Sequence, residues 1–229
     1  MAGGLLDGMR VLDLSLWQPG QTASQLLADL GADVIKVEPH GGDRMRRLPG
    51  RFAAYNGHKR SIVLDLKDDG DRARLFELVA DAEVVIEGYR PGVADRLGVG
   101  FEALAAVNPA IVMCSITGYG QSGPLADVAG HDHNYQAYAG AFTFTEGAAP
   151  QPAGLLVGDQ GSGMAAAFAI VSAVLCARRT GEGDHLDVAI TDLLASWVVP
   201  MGMQPGDGAS PASDELPAMG AFATQDGSW

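Results

Sequence analysis

MRVLDLSLWQPGQTASQLLADLGADVIKVE, residues 9–38, decides the fold. Its ends, 9–15 and 33–38, are short runs dominated by Val, Leu and Ile, the pattern of buried strands. Between them Ala23, Leu26, Leu27 and Leu30 recur at helical spacing, and Gly31 closes the segment. Two strands joined by a helix of this length must pair in parallel, because a tight hairpin is ruled out. Working outward, SIVLDL (61–66), EVVIEGY (83–89), AIVMCSI (110–116) and HLDVAI (185–190) read as further strands. Leu75, Leu78 and Val79 mark one intervening helix and residues 101–107 a shorter one. The alternation predicts an α/β fold, an open parallel sheet covered by helices. After Trp197 the stretch PMGMQPGDGASPASDELP (200–217) is rich in Pro, Gly, Ser and Asp, and GAFATQDGSW (220–229) resumes as a strand and turn. The expected organisation is one large domain over 1–200, then a linker and the start of a small, truncated domain over 201–229.

The 229 residues are 47% hydrophobic and 19% charged, enough to bury a full core. The net charge of −13 is unevenly spread. Residues 1–96 hold 13 of the 15 Lys and Arg against 15 acids, and the rest of the chain holds 2 bases and 13 acids. An acidic surface repels nucleic acid and anionic membranes, so neither is an expected partner. Arg44, Arg46, Arg47, Arg51, Lys59 and Arg60, however, run without an intervening acid. That run is either a solvated face or a local anion site for a small phosphorylated ligand. Cys114 and Cys176 show no metal-binding spacing and are expected to be buried thiols in a reducing compartment. With no basic, then apolar, leader at the N-terminus, the expected location is cytoplasmic. The apolar run over 159–178 is interrupted by Gly and Ser and is read as a buried helix, not a membrane span.

Chemistry must come from elsewhere than the usual phosphate loops. The first strand-to-helix loop reads LSLWQPGQT, so the glycine-rich dinucleotide fingerprint is absent, and so is a P-loop. Three groups stand out. The loop GYGQSGPLADVAGHDHNYQAYAG (118–140) places His131, Asp132, His133 and Tyr135 ahead of a small-residue helix. Asp159 in LLVGDQGSGM is either an N-cap or a carboxylate at a cleft edge, where the flanking glycines let a ligand approach. Arg90 and Arg96, around the RPG and DRLG turns, either clamp phosphates or pair with Glu87 and Asp95.

Taken in order, GMRVLDLS, ASQLLADLGADVIKVEPHGGD, NGHKRSIVLDLK, EGYRPGVADRLG, NPAIVMCSITGYGQSGP and TGEGDHLDVAITD resemble the successive blocks of the family III CoA-transferases. The resemblance implies a Rossmann-like large domain, a small domain, and a homodimer of two interlocked subunits. It implies an acyl-CoA substrate, with coenzyme A part of that substrate and no metal or other cofactor. Family transferases use an aspartate to attack the thioester, and VGDQGSG puts Asp159 there. Racemases of 2-methylacyl-CoA add a histidine in a GHDxNY block, and GHDHNY puts His131 there. On that block the expected activity is racemisation by two bases, His131 and Asp159, one on each face of a planar enolate. The backbone N–H of Asp132 would stabilise the enolate oxygen. The same resemblance implies that Leu66, Lys67, Gly88, Arg90 and Arg96 hold CoA and that Tyr135 lies near the thioester. His133 departs from the apolar residue usual in the racemase block. The alternatives are a CoA-transferase acting through Asp159, and a CoA-binding fragment without complete catalytic machinery.

Overall fold

A computed structural model describes residues 4–143 and 148–201. The expected linker and small-domain segment over 202–229 lies outside them. Six strands form one sheet: β1 (Arg10–Asp13), β2 (Asp33–Glu38), β3 (Arg60–Val63), β4 (Val84–Glu87), β5 (Val112–Thr117) and β6 (Asp184–Ala189). All neighbours pair in parallel, in the order β3-β2-β1-β4-β5-β6. This is the doubly wound Rossmann-like arrangement that the sequence predicts. Its strand order reverses between β1 and β4, which opens a crevice at the carboxyl ends of those strands.

The helices are α1 (Gln18–Asp29), α2 (Pro49–Asn56), α3 (Asp69–Val79), α4 (Val93–Arg96), α5 (Phe101–Ala105), α6 (Asp132–Ala139), α7 (Val157–Thr180) and α8 (Ile190–Val198). Alternate strand residues feed two cores. Val11, Val84, Ile86, Val112 and Cys114 face Ala23 and Leu27 of α1 and Ala166, Ile170 and Val174 of α7. Leu12, Ile35, Val85 and Met113 face Leu75 and Val79 of α3 and Leu104 of α5. Burying each such side chain stabilises the fold by about 1.5–3 kcal/mol. Close helix packing rests on glycine: a Cβ on Gly163 of α7 would lie 2.6 Å from the Thr22 Cβ of α1.

The structure corrects several readings. Residues 131–139 are not a loop ahead of a helix; His131 is itself the N-cap of α6. Asp159 is not an N-cap, since α7 begins two residues earlier with Leu156 as its cap. Cys114 is buried, but Cys176 is exposed. The helix carrying Cys176 is buried along one face only: Met164, Phe168 and Leu175 project outward, Phe168 with 77% of its surface exposed. By length and composition α7 would suffice to cross a bilayer, yet its other face packs on the sheet and on α1.

The basic run does not form one anion site. Lys59 is buried against Asp13 at 3.1 Å, and Lys36 of β2 lies 3.0 Å from Asp43. Ser15, Ser24 and Gln21 complete this network, with Ser24 donating to Asp13 at 2.6 Å and Gln21 to Asp43 at 2.7 Å. It fills the space under the first strand-to-helix turn. Arg46 pairs with Glu38 and stacks on Phe52, and Arg60 pairs with Asp33. Of the six, only Arg51 reaches the crevice described next.

Candidate active site

A cleft of roughly 580 Å³ opens at the crevice between β1 and β4. Its floor comes from the ends of β4 and β5, with Gly88, Tyr89 and Arg90 after one strand and Ile116 to Tyr119 around the end of the other. The start of α1 contributes Trp17, Gln18 and Pro19; α6 contributes Asn134 and Tyr135, with His131 as its cap; α7 contributes Asp159. Of the residues singled out from sequence, His131, Tyr135, Gly88, Arg90 and Asp159 therefore share one cleft. Leu66, Lys67, Arg96 and Asp132 do not line it. Leu66 is packed into the core beneath α3, whereas Lys67 and Arg96 are exposed beyond the ends of β3 and β4. Among the described residues, neither Arg90 nor Arg96 forms an ion pair with Glu87 or Asp95.

Asp159 is held by its backbone. Its N–H donates to the Asp132 carboxylate at 2.8 Å. Asp132, almost fully buried, also accepts from the Gln136 side-chain amide, while the Gln136 oxygen accepts from Ala153 N–H at 2.9 Å. A carboxylate on α6 thus fixes the first turn of α7. The Asp159 carboxyl is pushed up to about 7, first because burial disfavours its charge and then because Asp132 sits nearby. Opposing this, the first turn of a 24-residue helix favours negative charge. The result is a carboxyl poised to gain or lose a proton near neutral pH.

His131 stands at the exposed rim, its ring edge-on to Trp17 with centroids 6.3 Å apart. Its own N–H donates to the Asn134 side chain at 2.9 Å, which orients the helix start. Asp132 is the first residue of α6, so its N–H has no acceptor within the helix. Tyr135 donates its hydroxyl proton to the Gly130 carbonyl at 2.6 Å. Burial and its neighbours push this phenol up to about 12, so it stays neutral and presents a ring, edge-on to Tyr119. Gly118 and Gly130 make room for that ring, since a Cβ on either would collide with it. Among the described residues no cluster of three or more metal-ligating side chains occurs.

Sequence reasoning missed the lining residues Trp17 and Tyr119, named Arg51 only as one cation of a run, and read Asp132 for its backbone N–H and not for its carboxylate paired with Gln136. The pair had a local signal, an acid and an amide four residues apart, but its link to Asp159 spans 27 residues. Gln160 beside Asp159 likewise donates to the Tyr55 hydroxyl of α2 at 2.8 Å, a contact 105 residues apart.

A doubly wound domain with a carboxyl and a histidine in its switch-point cleft defines an α/β protein built to bind a ligand there. The model of CoA-transferase family III matches residues 6–229, and the chain belongs to that family. It is similar to the succinate–glutarate CoA-transferase of Agrobacterium fabrum, 40% identical over 215 residues that cover 86% of this chain and 54% of that protein. It is similar to the acetyl-CoA:oxalate CoA-transferase of Acetobacter aceti, 40% identical over 200 residues that cover 82% and 51%. Among solved structures, a CAIB/BAIF family protein from Brucella suis superposes with a TM-score of 0.83 at 37% identity, covering 92% of this chain and 60% of that one. The chain thus spans about half the length of the curated relatives it matches. Both of these relatives are named as CoA-transferases.

Proposed function

We propose that the protein of which this chain is part is a CoA-transferase that moves CoA between two carboxylic acids, with Asp159 as nucleophile. The observation that carries this reading is the Asp159 carboxyl itself, partly buried in the cleft on a first helical turn tied down by Asp132. The ionised carboxylate attacks the thioester carbonyl of an acyl-CoA, forming an aspartyl–acyl anhydride and releasing CoA thiolate. The thiolate then attacks the aspartyl carbonyl, giving an aspartyl–CoA thioester and the free first acid. A second carboxylate repeats the two steps in reverse, leaving as its own CoA thioester and restoring Asp159. Trp17, Tyr119 and Tyr135 give the cleft an aromatic wall against which an acyl chain could pack.

Arg90, at the cleft edge, and Lys67 and Arg96, near the ends of β3 and β4, suit the CoA phosphates. Coenzyme A enters as substrate, and the chemistry calls for no further cofactor. The exposed apolar residues of α7 support assembly with a second copy, which sedimentation would report as a dimer; a monomer would refute that part.

Racemisation of a 2-methylacyl-CoA is the second reading, favoured by one observation: His131 of the GHDHNY block lines the same cleft as Asp159. Transfer of CoA to an added free acid, without α-proton exchange in D₂O, is the expected result. Solvent exchange at the α-carbon with no acceptor, lost in His131→Ala, would replace transfer by racemisation.

A further inference from the structure

We infer that Arg51 recognises the free carboxylate of a dicarboxylic substrate, so that the acyl group carried by CoA ends in a second, unreacted carboxylate. This rests on the transferase reading and adds the class of acid to it. Arg51 lies in the first turns of α2 and lines the cleft. One helical turn later, Tyr55 accepts the hydrogen bond from Gln160, the neighbour of Asp159, so the face that carries Arg51 is tied to the start of α7. At the end of α2, Asn56 donates to Gln21 of α1 at 2.9 Å, which holds the helix from a second side. The arginine therefore projects from an anchored scaffold.

Its charge is available, and of the cations in the basic run it alone lines the cleft. Arg46 is held by Glu38 and Phe52, Lys59 by Asp13 and Arg60 by Asp33, whereas no ion pair or hydrogen bond engages the Arg51 guanidinium among the described residues. Trp17, Pro19 and Met45 add apolar surface to the same cleft. A short methylene chain suits that wall, and a terminal carboxylate suits the guanidinium beyond it, which offers a planar pair of donors. The second lining arginine, Arg90, follows β4 beside Gly88, on the side assigned to CoA. In a chain of net charge −13, a doubly anionic acid needs such a cation to enter.

The test measures binding of two thioesters, succinyl-CoA and butyryl-CoA, which differ in having or lacking the terminal carboxylate. Asp159→Ala serves as the background so that neither reacts. With Arg51 present, succinyl-CoA should bind at least tenfold more tightly than butyryl-CoA. Arg51→Gln should remove that preference while leaving butyryl-CoA within about twofold, and Arg51→Lys should recover part of it. Equal or absent affinity for the two thioesters with Arg51 present would overturn the assignment. So would a loss that is the same for both in Arg51→Gln, which would mark a contact to CoA. Acceptor-dependent transfer, assayed separately with Asp159 intact, fails only if the transferase reading is wrong and leaves the binding preference standing.

Discussion

Asp159 carries two linked consequences of one burial. Its folded carboxyl sits at about 7 against an ordinary 3.8, so the folded protein holds a proton that the unfolded chain has released between those values. Stability contributed by this site therefore falls as pH rises from about 4 to 7, and nothing is lost below 4, where both states are protonated. Asp159→Asn should stabilise the fold at pH 8 by about 1–2 kcal/mol, discounted because the side chain is partly exposed, with thermal unfolding as the check. Activity should run oppositely, rising with pH through about 7 as the nucleophile ionises. Asp132→Asn removes the neighbouring charge and keeps an oxygen to accept the Asp159 N–H. Its pH–rate profile should shift to lower pH, at a stability cost of about 1–3 kcal/mol for the disturbed buried hydrogen bonds. An unshifted profile would mean that burial alone sets the Asp159 carboxyl.

Among the elements, α7 does the most to set the cleft, because it carries Asp159 at one end and packs along α1, whose start supplies Trp17, Gln18 and Pro19. Gly163 is the point of closest approach, with Thr22 and Pro19 both under 3 Å from a Cβ placed there. Gly163→Ala should destabilise by about 1–3 kcal/mol and weaken acyl-CoA binding as the α1 start is displaced, measured by denaturant unfolding and calorimetry. The central strands β1, β2, β4 and β5 were legible because their Val, Ile and Leu runs are buried on both faces, the edge strands β3 and β6 by their alternation with helices although they are largely exposed, and α1 because its apolar spacing ends at Gly31, which adopts a positive φ of 101°. The short α2 and α6 were not: their sequences, PGRFAAYN and DHNYQAYA, carry polar and apolar residues with little periodicity. Tertiary anchors, Gln160 on Tyr55 and Asp159 on Asp132, hold them instead. By resemblance Asp159 and His131 were legible as candidates, and both line the cleft, while Arg51 stood in a basic run that the fold disperses.

Across the whole molecule, charge is sorted between a buried network and an open cleft. Asp13 is entirely buried, which alone would raise its carboxyl, yet Lys59, Lys36, Ser15 and Ser24 bring it down to about 2. Its stabilising contribution is complete above about pH 4 and is lost as the pH falls through about 2. Lys59→Met should leave Asp13 underpaired and destabilise the protein by about 3–5 kcal/mol at neutral pH, with the loss shrinking in acid as Asp13 is protonated. Equal destabilisation at every pH would point to lost packing instead of lost charge. This network stands where other doubly wound folds place a glycine-rich phosphate loop, and the cleft is lined instead by Trp17, Gln18 and Pro19 at the start of α1 together with the ends of β4 and β5, α6 and α7.

In the proposed transfer Asp159 becomes covalently linked to CoA during turnover. Incubation with an acyl-CoA in the absence of an acceptor acid, followed by intact-mass measurement and peptide mapping, tests it most directly. The expected result is a mass gain of one CoA less one water, located on Asp159, absent from Asp159→Ala and discharged by adding a free carboxylic acid. An active protein that transfers CoA with no adduct on Asp159, or with the adduct on another residue, would contradict the account.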